Sequence, residues 1–359
     1  MQQQSEALAL MNGTLLACAL LAPAGAPLVA QPPLPGFHGK PITLGAAQVA
    51  ALGRGEAVIQ PLETSDPRDV ALFGIVAVNV PRAFWVSRFT DFAHSLRPPG
   101  TAGFGIFGTP AVPSDAGSLS LSPNDIAVLH KCRPGSCQFK LPAAEMAKAR
   151  GMLDSGGVGA AAAVSSAARA RAAEFVNAYR ERGNSALGVY EDHGVPGVRA
   201  SDALSSLMAG ATHLSQYAPA LAAYLLSTGP RKKPDGAAEV IYWTREDVAR
   251  MRSTVAINHL TVYSPAEHPL ITLAVTKQLY ADHYFDGGLD VLVATTRTEV
   301  PKGEGIYLML LRQQRFDQLP SGGILNLRGR VKAGLRDRAD AEMRRMRTEY
   351  QGAYARRRP

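Results

Sequence analysis

The sequence predicts an α+β fold in which an antiparallel curved sheet grips a long C-terminal helix, with a mostly helical insertion between the first strand and the remaining ones. Three observations predict it. Residues 70–80 (VALFGIVAVNV) form a strand-like run that stops at Pro81. Five more strand-like segments lie between 239 and 312, joined by short links, and short links between successive strands imply an antiparallel meander. Residues 324–350 place apolar side chains at steps of three and four, from Ile324 through Leu327, Val331, Leu335, Ala339, Met343 and Met346 to Tyr350. That is one continuous helical stripe, and it needs a partner surface.

The N-terminal 1–30 reads as an export signal. Its 14–30 stretch is apolar, ends in small residues and is too short and proline-broken for a permanent span. No Lys or Arg precedes it, so an apolar leader is the alternative. Export predicts a secreted or periplasmic protein. Residues 31–41 (QPPLPGFHGKP) form a proline-rich linker. The segment 42–96 then supplies the first part of the sheet-and-helix domain: a helix and a strand within 42–62, the strand 70–80, and a helix over 81–95. Pro81 suits the first position of that helix, and Phe84, Trp85, Phe89 and Phe92 recur at helical spacing.

Residues 97–236 form the insertion. Its opening, 97–113, is loop-rich and contains Gly103-x-Gly105-x-x-Gly108. A dinucleotide fingerprint needs a preceding strand and a following helix, and here prolines flank it on both sides, so that reading is rejected. Ser122-Pro123-Asn124-Asp125 opens a short helix. Cys132 and Cys137 bracket a Pro-Gly turn, and a disulfide closing that loop contributes roughly 2 kcal/mol. A metal would need two more soft ligands, and the two-residue redox spacing is absent, so a structural disulfide is favoured. Residues 155–173 are Gly/Ala/Ser-rich and pass into a helix through Tyr179. Further helices are expected near 202–214 and 219–226, and 228–236 breaks the chain.

The second part of the domain, 237–352, holds strands at 239–243, 254–263, 270–285, 289–297 and 305–312, with connections at Asp286-Gly287-Gly288 and Pro301-Lys302-Gly303. A basic tail, 353–359, ends the chain. The formal charge is +8, and the region from Arg328 onward, with eleven basic and four acidic residues, carries nearly all of it. A solvated helix face explains this best. An anionic membrane surface is a second partner for it, and nucleic acid is excluded by the near-neutral body.

The order of pieces resembles the START-like and polyketide-cyclase-like helix-grip superfamily. The residues that carry the resemblance are Val76-Ala77-Val78-Asn79-Val80-Pro81-Arg82-Ala83-Phe84-Trp85, Phe89-Thr90-Asp91-Phe92, the meander 254–312 and the helix 324–350. The resemblance covers about half the chain. It implies a cavity between sheet and C-terminal helix that holds an apolar small molecule or lipid, and it carries over no catalytic residue and no cofactor. The insertion departs from a minimal member of that superfamily.

Alternation along 271–285 puts Ile271, Leu273, Val275, Lys277, Leu279, Ala281, His283 and Phe285 on one face, provided no bulge shifts the register. Lys277 and His283 are then the polar exceptions, with His259 on the neighbouring strand. Together with Tyr263 and Trp85 these are the expected ligand contacts. The alternative has Lys277 reaching out along the sheet edge and His283 satisfying a backbone group. An enzyme of the same fold would need His259, His283, Lys277 and a carboxylate to converge on one pocket. A third class, a structural or partner-binding envelope protein, would have its cavity packed shut by the insertion. No nucleophile elbow or P-loop occurs.

Overall fold

Eight strands pair antiparallel into one curved sheet, and helices cover both of its faces. The structure is a computed structural model and describes residues 34–96, 101–194, 197–230, 232–246, 252–318 and 327–357. The expected export signal, the first two prolines of the linker, and Ile324 lie outside the described residues. The chain from Gln31 to Pro359 forms one contact unit.

In chain order the strands are β1 (Val58–Leu62), β2 (Asp69–Val78), β3 (Gly103–Ile106), β4 (Ala238–Glu246), β5 (Thr254–Tyr263), β6 (Ile271–Ala281), β7 (Phe285–Thr296) and β8 (Ile306–Phe316). Their order across the sheet is β1-β2-β8-β7-β6-β5-β4-β3. The helices are α1 (Ala46–Gly53), α2 (Arg82–Phe89), α3 (Pro123–Lys131), α4 (Ala143–Ser155), α5 (Ala160–Arg182), α6 (Ala200–Gly210), α7 (Thr212–Tyr217), α8 (Pro219–Leu226) and α9 (Leu327–Ala355). The β4–β8 meander and the helical insertion are as the sequence predicts.

The unbroken apolar run of β2 follows from its position. Phe73 and Ile75 point into the core under the insertion, and Leu72, Val76 and Val78 into the core under α9. A strand wet on one side would alternate; this one is buried on both. α9 lays its stripe on β1 and β2, with Ala339 and Met343 fully buried and Met346 nearly so. α2 completes that layer: Phe84 meets Tyr354 at 5.0 Å, and Trp85 stacks on Phe89 at 4.8 Å. On the other face α5, α6, α7 and α8 supply Tyr179, Leu207, Leu214 and Leu221 to a second, larger core.

Three boundaries differ from the sequence reading. Pro81 caps α2 from outside, and that helix stops at Thr90, whose hydroxyl donates to the Val86 carbonyl; a separate turn follows at Phe92–Ser95. The hairpin between β6 and β7 turns at Asp282-His283-Tyr284, with Tyr284 at φ 64°, and Asp286-Gly287-Gly288 lies within β7. Asp286 is held in place because its buried carboxylate meets the Lys140 ammonium at 2.7 Å. The loop-rich 97–113 contains the edge strand β3. Its glycines let it cross Trp243: a Cβ on Gly103 would come within 2.9 Å of that ring, and one on Gly105 within 2.4 Å of both the indole nitrogen and the Asp115 carbonyl.

Candidate functional site: a hollow between the insertion and the sheet

A cavity of about 190 Å³ lies between α3, α4, α5 and the ends of β5 and β6. Its wall on α5 is built from Ala167, Ala168 and Ala172, so the Gly/Ala/Ser-rich stretch presents backbone and methyl groups where larger side chains would fill the space. Leu129 and Phe139 also line it and, with Val164 of α5, belong to a small core that contains Cys132 and Cys137. The Cys132–Cys137 disulfide is formed. It fixes the chain between α3 and Phe139, whose amide donates to the Cys137 Sγ at 3.3 Å.

The sheet gives this hollow its polar end. Opposite β5, Gln278 pairs with Asn258 but Tyr280 pairs with Ile257, so Leu279 is an extra residue in β6. A bulge of this kind reverses alternation beyond it. Tyr280 and Asp282 therefore face the insertion and line the cavity, although simple parity puts them on the opposite side from Lys277. The Asp282 Oδ1 accepts from the Val255 amide at 2.8 Å. The Asp282 amide also supports its own carboxylate, and among the described residues no side-chain hydrogen bond reaches that carboxylate or the hydroxyls of Tyr190 and Tyr280. Burial raises the Asp282 carboxyl well above the usual carboxylate range, and burial likewise raises both phenols. Phe175 and Tyr190 pack their rings at 6.4 and 5.9 Å from that of Tyr280. Lys148 and Arg171 stand exposed at the rim, where Arg171 pairs with Glu145 at 3.2 Å.

None of the five expected contacts lines this cavity. Lys277, fully buried, donates to Asn184 Oδ1 at 2.7 Å and to the Leu225 carbonyl at 2.5 Å beneath α8. His259 is its cross-strand neighbour; it meets the Tyr179 hydroxyl at 3.0 Å and Glu239 at 3.1 Å. Hydrogen bonds from His259 and Tyr224 outweigh burial and hold Glu239 down to about 2. The structure thus gathers Lys277, His259 and a carboxylate into one interior network. His283 lies apart from it, in the β6–β7 turn, against Phe139 and with its Nδ1 on the Gln138 carbonyl at 2.5 Å. Tyr263 is half-buried at the edge of the larger core, and Trp85 is fully buried on the opposite face, beside α9.

Lys140 also lines the cavity, and its ammonium sits among Asp286 at 2.7 Å, Asp192 at 3.0 Å and Asp317 at 3.4 Å. Burial works against its charge, yet the three carboxylates together raise its pKa. Asp192, His193 and Asp317 have metal-ligand atoms within 4.8 Å of one another. The ammonium already stands where a cation would, so that cluster is read as an ion-pair knot. Sequence reasoning passed over Lys140, for which a lysine set between Phe139 and Leu141 was the available signal; it took Tyr280 as a packing residue and weighed Asp282 only beside His259, His283 and Asp286 as a metal or acid–base group.

Among the described residues no helix is long and apolar enough to cross a membrane. The chain matches no protein-family model, no curated protein and no solved structure.

Proposed function

We propose that this protein binds an apolar small molecule in the hollow between α4, α5 and the sheet, and that it does so outside the cytoplasm. The observation that carries the reading is a cavity of about 190 Å³ whose largely apolar lining includes the phenols of Tyr190 and Tyr280 and the carboxyl of Asp282. Apolar pockets with a few placed polar groups are the usual form of small-molecule sites. The expectation from the helix-grip resemblance had the ligand between the sheet and the C-terminal helix. The filled contact of Met343 and Ala339 with β2 favours the other face instead. The strand ending at Pro81, Trp85 on α2 and the long closing helix still support kinship with that superfamily. The disulfide supports an oxidising compartment.

Magnitudes limit what the walls alone achieve. A buried aromatic ring hides about 150–250 Å², worth roughly 4–6 kcal/mol at about 25 cal/mol per Å². That corresponds to dissociation constants from tens of micromolar to about a millimolar before ordering costs. Tighter binding must come from the polar end.

Extraction of the purified protein and mass spectrometry of what is released should recover a small apolar compound. Adding that compound at about 100 times its Kd should stabilise the chain by about 2.7 kcal/mol, seen as a rise in Tm. Ala168→Phe should fill the hollow and abolish the rise while the variant remains folded. Recovery of nothing, with no shift from a panel of apolar compounds, would refute the binding reading; so would a shift that survives the filling.

A further inference from the structure

Resting on the reading that the hollow takes a small apolar molecule, we propose that its ligand is a neutral single-ring compound bearing a hydroxyl group, seated with the ring against Phe175 and the hydroxyl at Tyr280 and Asp282.

Size gives the first limit. An apolar cavity of about 150 Å³ accepts benzene, so 190 Å³ leaves roughly 40 Å³, or one to two further heavy atoms at about 30 Å³ each. Sterols and diacyl lipids exceed this several-fold. Shape gives the second. Phe175, Tyr190 and Tyr280 all line the hollow, with the Phe175 and Tyr190 rings 6.4 and 5.9 Å from that of Tyr280, a spacing at which aromatic rings pack edge to face. A ligand ring continues that arrangement, whereas an alkyl chain does not.

The polar end gives the third. The Asp282 carboxyl is nearly buried, lines the hollow and accepts from the Val255 amide through one oxygen. The Tyr280 hydroxyl lines the same space. Burial favours the neutral carboxyl, and a neutral carboxyl and a phenol each donate and accept. A ligand hydroxyl answers both roles without bringing charge into the apolar interior. A plain hydrocarbon leaves them unpaired, and a site built to bond a hydroxyl discriminates strongly against the analogue that lacks one. A cation would require Asp282 to ionise against the burial that favours its neutral form. Of the other charged lining residues, Lys148 and Arg171 are exposed, Arg171 pairs with Glu145, and the buried Lys140 ammonium is already held by three carboxylates.

Titration calorimetry of the full chain with p-cresol, toluene and benzylamine tests this. We expect p-cresol to bind at least about tenfold more tightly than toluene, and benzylamine more weakly than either. Tyr280→Phe removes a hydroxyl that supports nothing else in the fold. It should narrow the cresol preference to about threefold or less while leaving toluene affinity unchanged. Equal affinity for toluene and p-cresol would overturn the hydroxyl anchor and leave the cavity reading standing. Tightest binding of benzylamine would overturn the neutral ligand and make Asp282 a counter-ion. Binding of none of the three, in a protein that also yields no extracted compound, would take the cavity reading down as well.

Discussion

Asp282 shows how a side chain's chemistry follows from its surroundings. Its unperturbed pKa is 3.8, and burial raises it well above that value, with the Asp125 carboxylate adding to the rise and the Val255 amide and Arg245 opposing it. Above 3.8 the unfolded chain gives up a proton that the folded chain keeps, so stability falls as pH climbs toward the folded value. Asp282→Asn keeps an acceptor for the Val255 amide and removes the titration. Urea unfolding at about pH 4 and about pH 7 should find the variant gaining on the wild type as pH rises. A constant difference between the two would mean that Asp282 is ionised in the folded protein. Residues of this kind were only half legible. Lys277 and His259 stood out as polar exceptions on apolar strands, but their partners Asn184, Leu225 and Tyr179 come from distant helices and left no mark in the local pattern. Tyr280 and Asp282 were hidden by the Leu279 bulge, which has no glycine to announce it.

Among elements, the loop closed by Cys132 and Cys137 is the smallest with a measurable task. It holds the α3 side of the hollow through Leu129 and Phe139, and its backbone is tied to Glu191 and Asp192 by the Gly135 and Cys137 amides. Reduction should cost about 2 kcal/mol of stability. Chemical unfolding with and without a phosphine reductant measures this, and a loss below about 0.5 kcal/mol would show that neighbouring hydrogen bonds fix the loop unaided. The long elements were the most legible ones: β2, the meander and the stripe of α9 all appear where apolar spacing put them. The arginines opposite that stripe find carboxylates, Arg344 on Asp340 and Arg345 on Glu349 within the helix, and Arg338 on Glu246 of β4. The misplaced hairpin has a clear physical origin. Asp-Gly-Gly is a strong turn signal, and a buried ion pair at Asp286 overrode it.

For the whole molecule, the governing fact is a sheet with two dry faces. The apolar run 70–80 already contained that information, since a strand wet on one side would alternate. What it could not convey was which face would be packed solid and which left hollow, because that depends on alanines in α5 meeting strands that are remote in sequence. The insertion is secured to the sheet at Lys140, whose three carboxylates come from the insertion itself, from β7 and from the residue after β8. Lys140→Met leaves those carboxylates facing one another out of water. The loss should be about 3–5 kcal/mol, seen as an early calorimetric transition. A loss under about 1 kcal/mol would show that the carboxylates take up protons or another cation instead. The extra residue in β6 has a different kind of consequence, one for descent. A single in-frame codon, gained or lost at position 279, would carry Tyr280 and Asp282 from one side of the sheet to the other. A lineage could acquire or discard the binding chemistry in one mutational event, with every helix left where it stands.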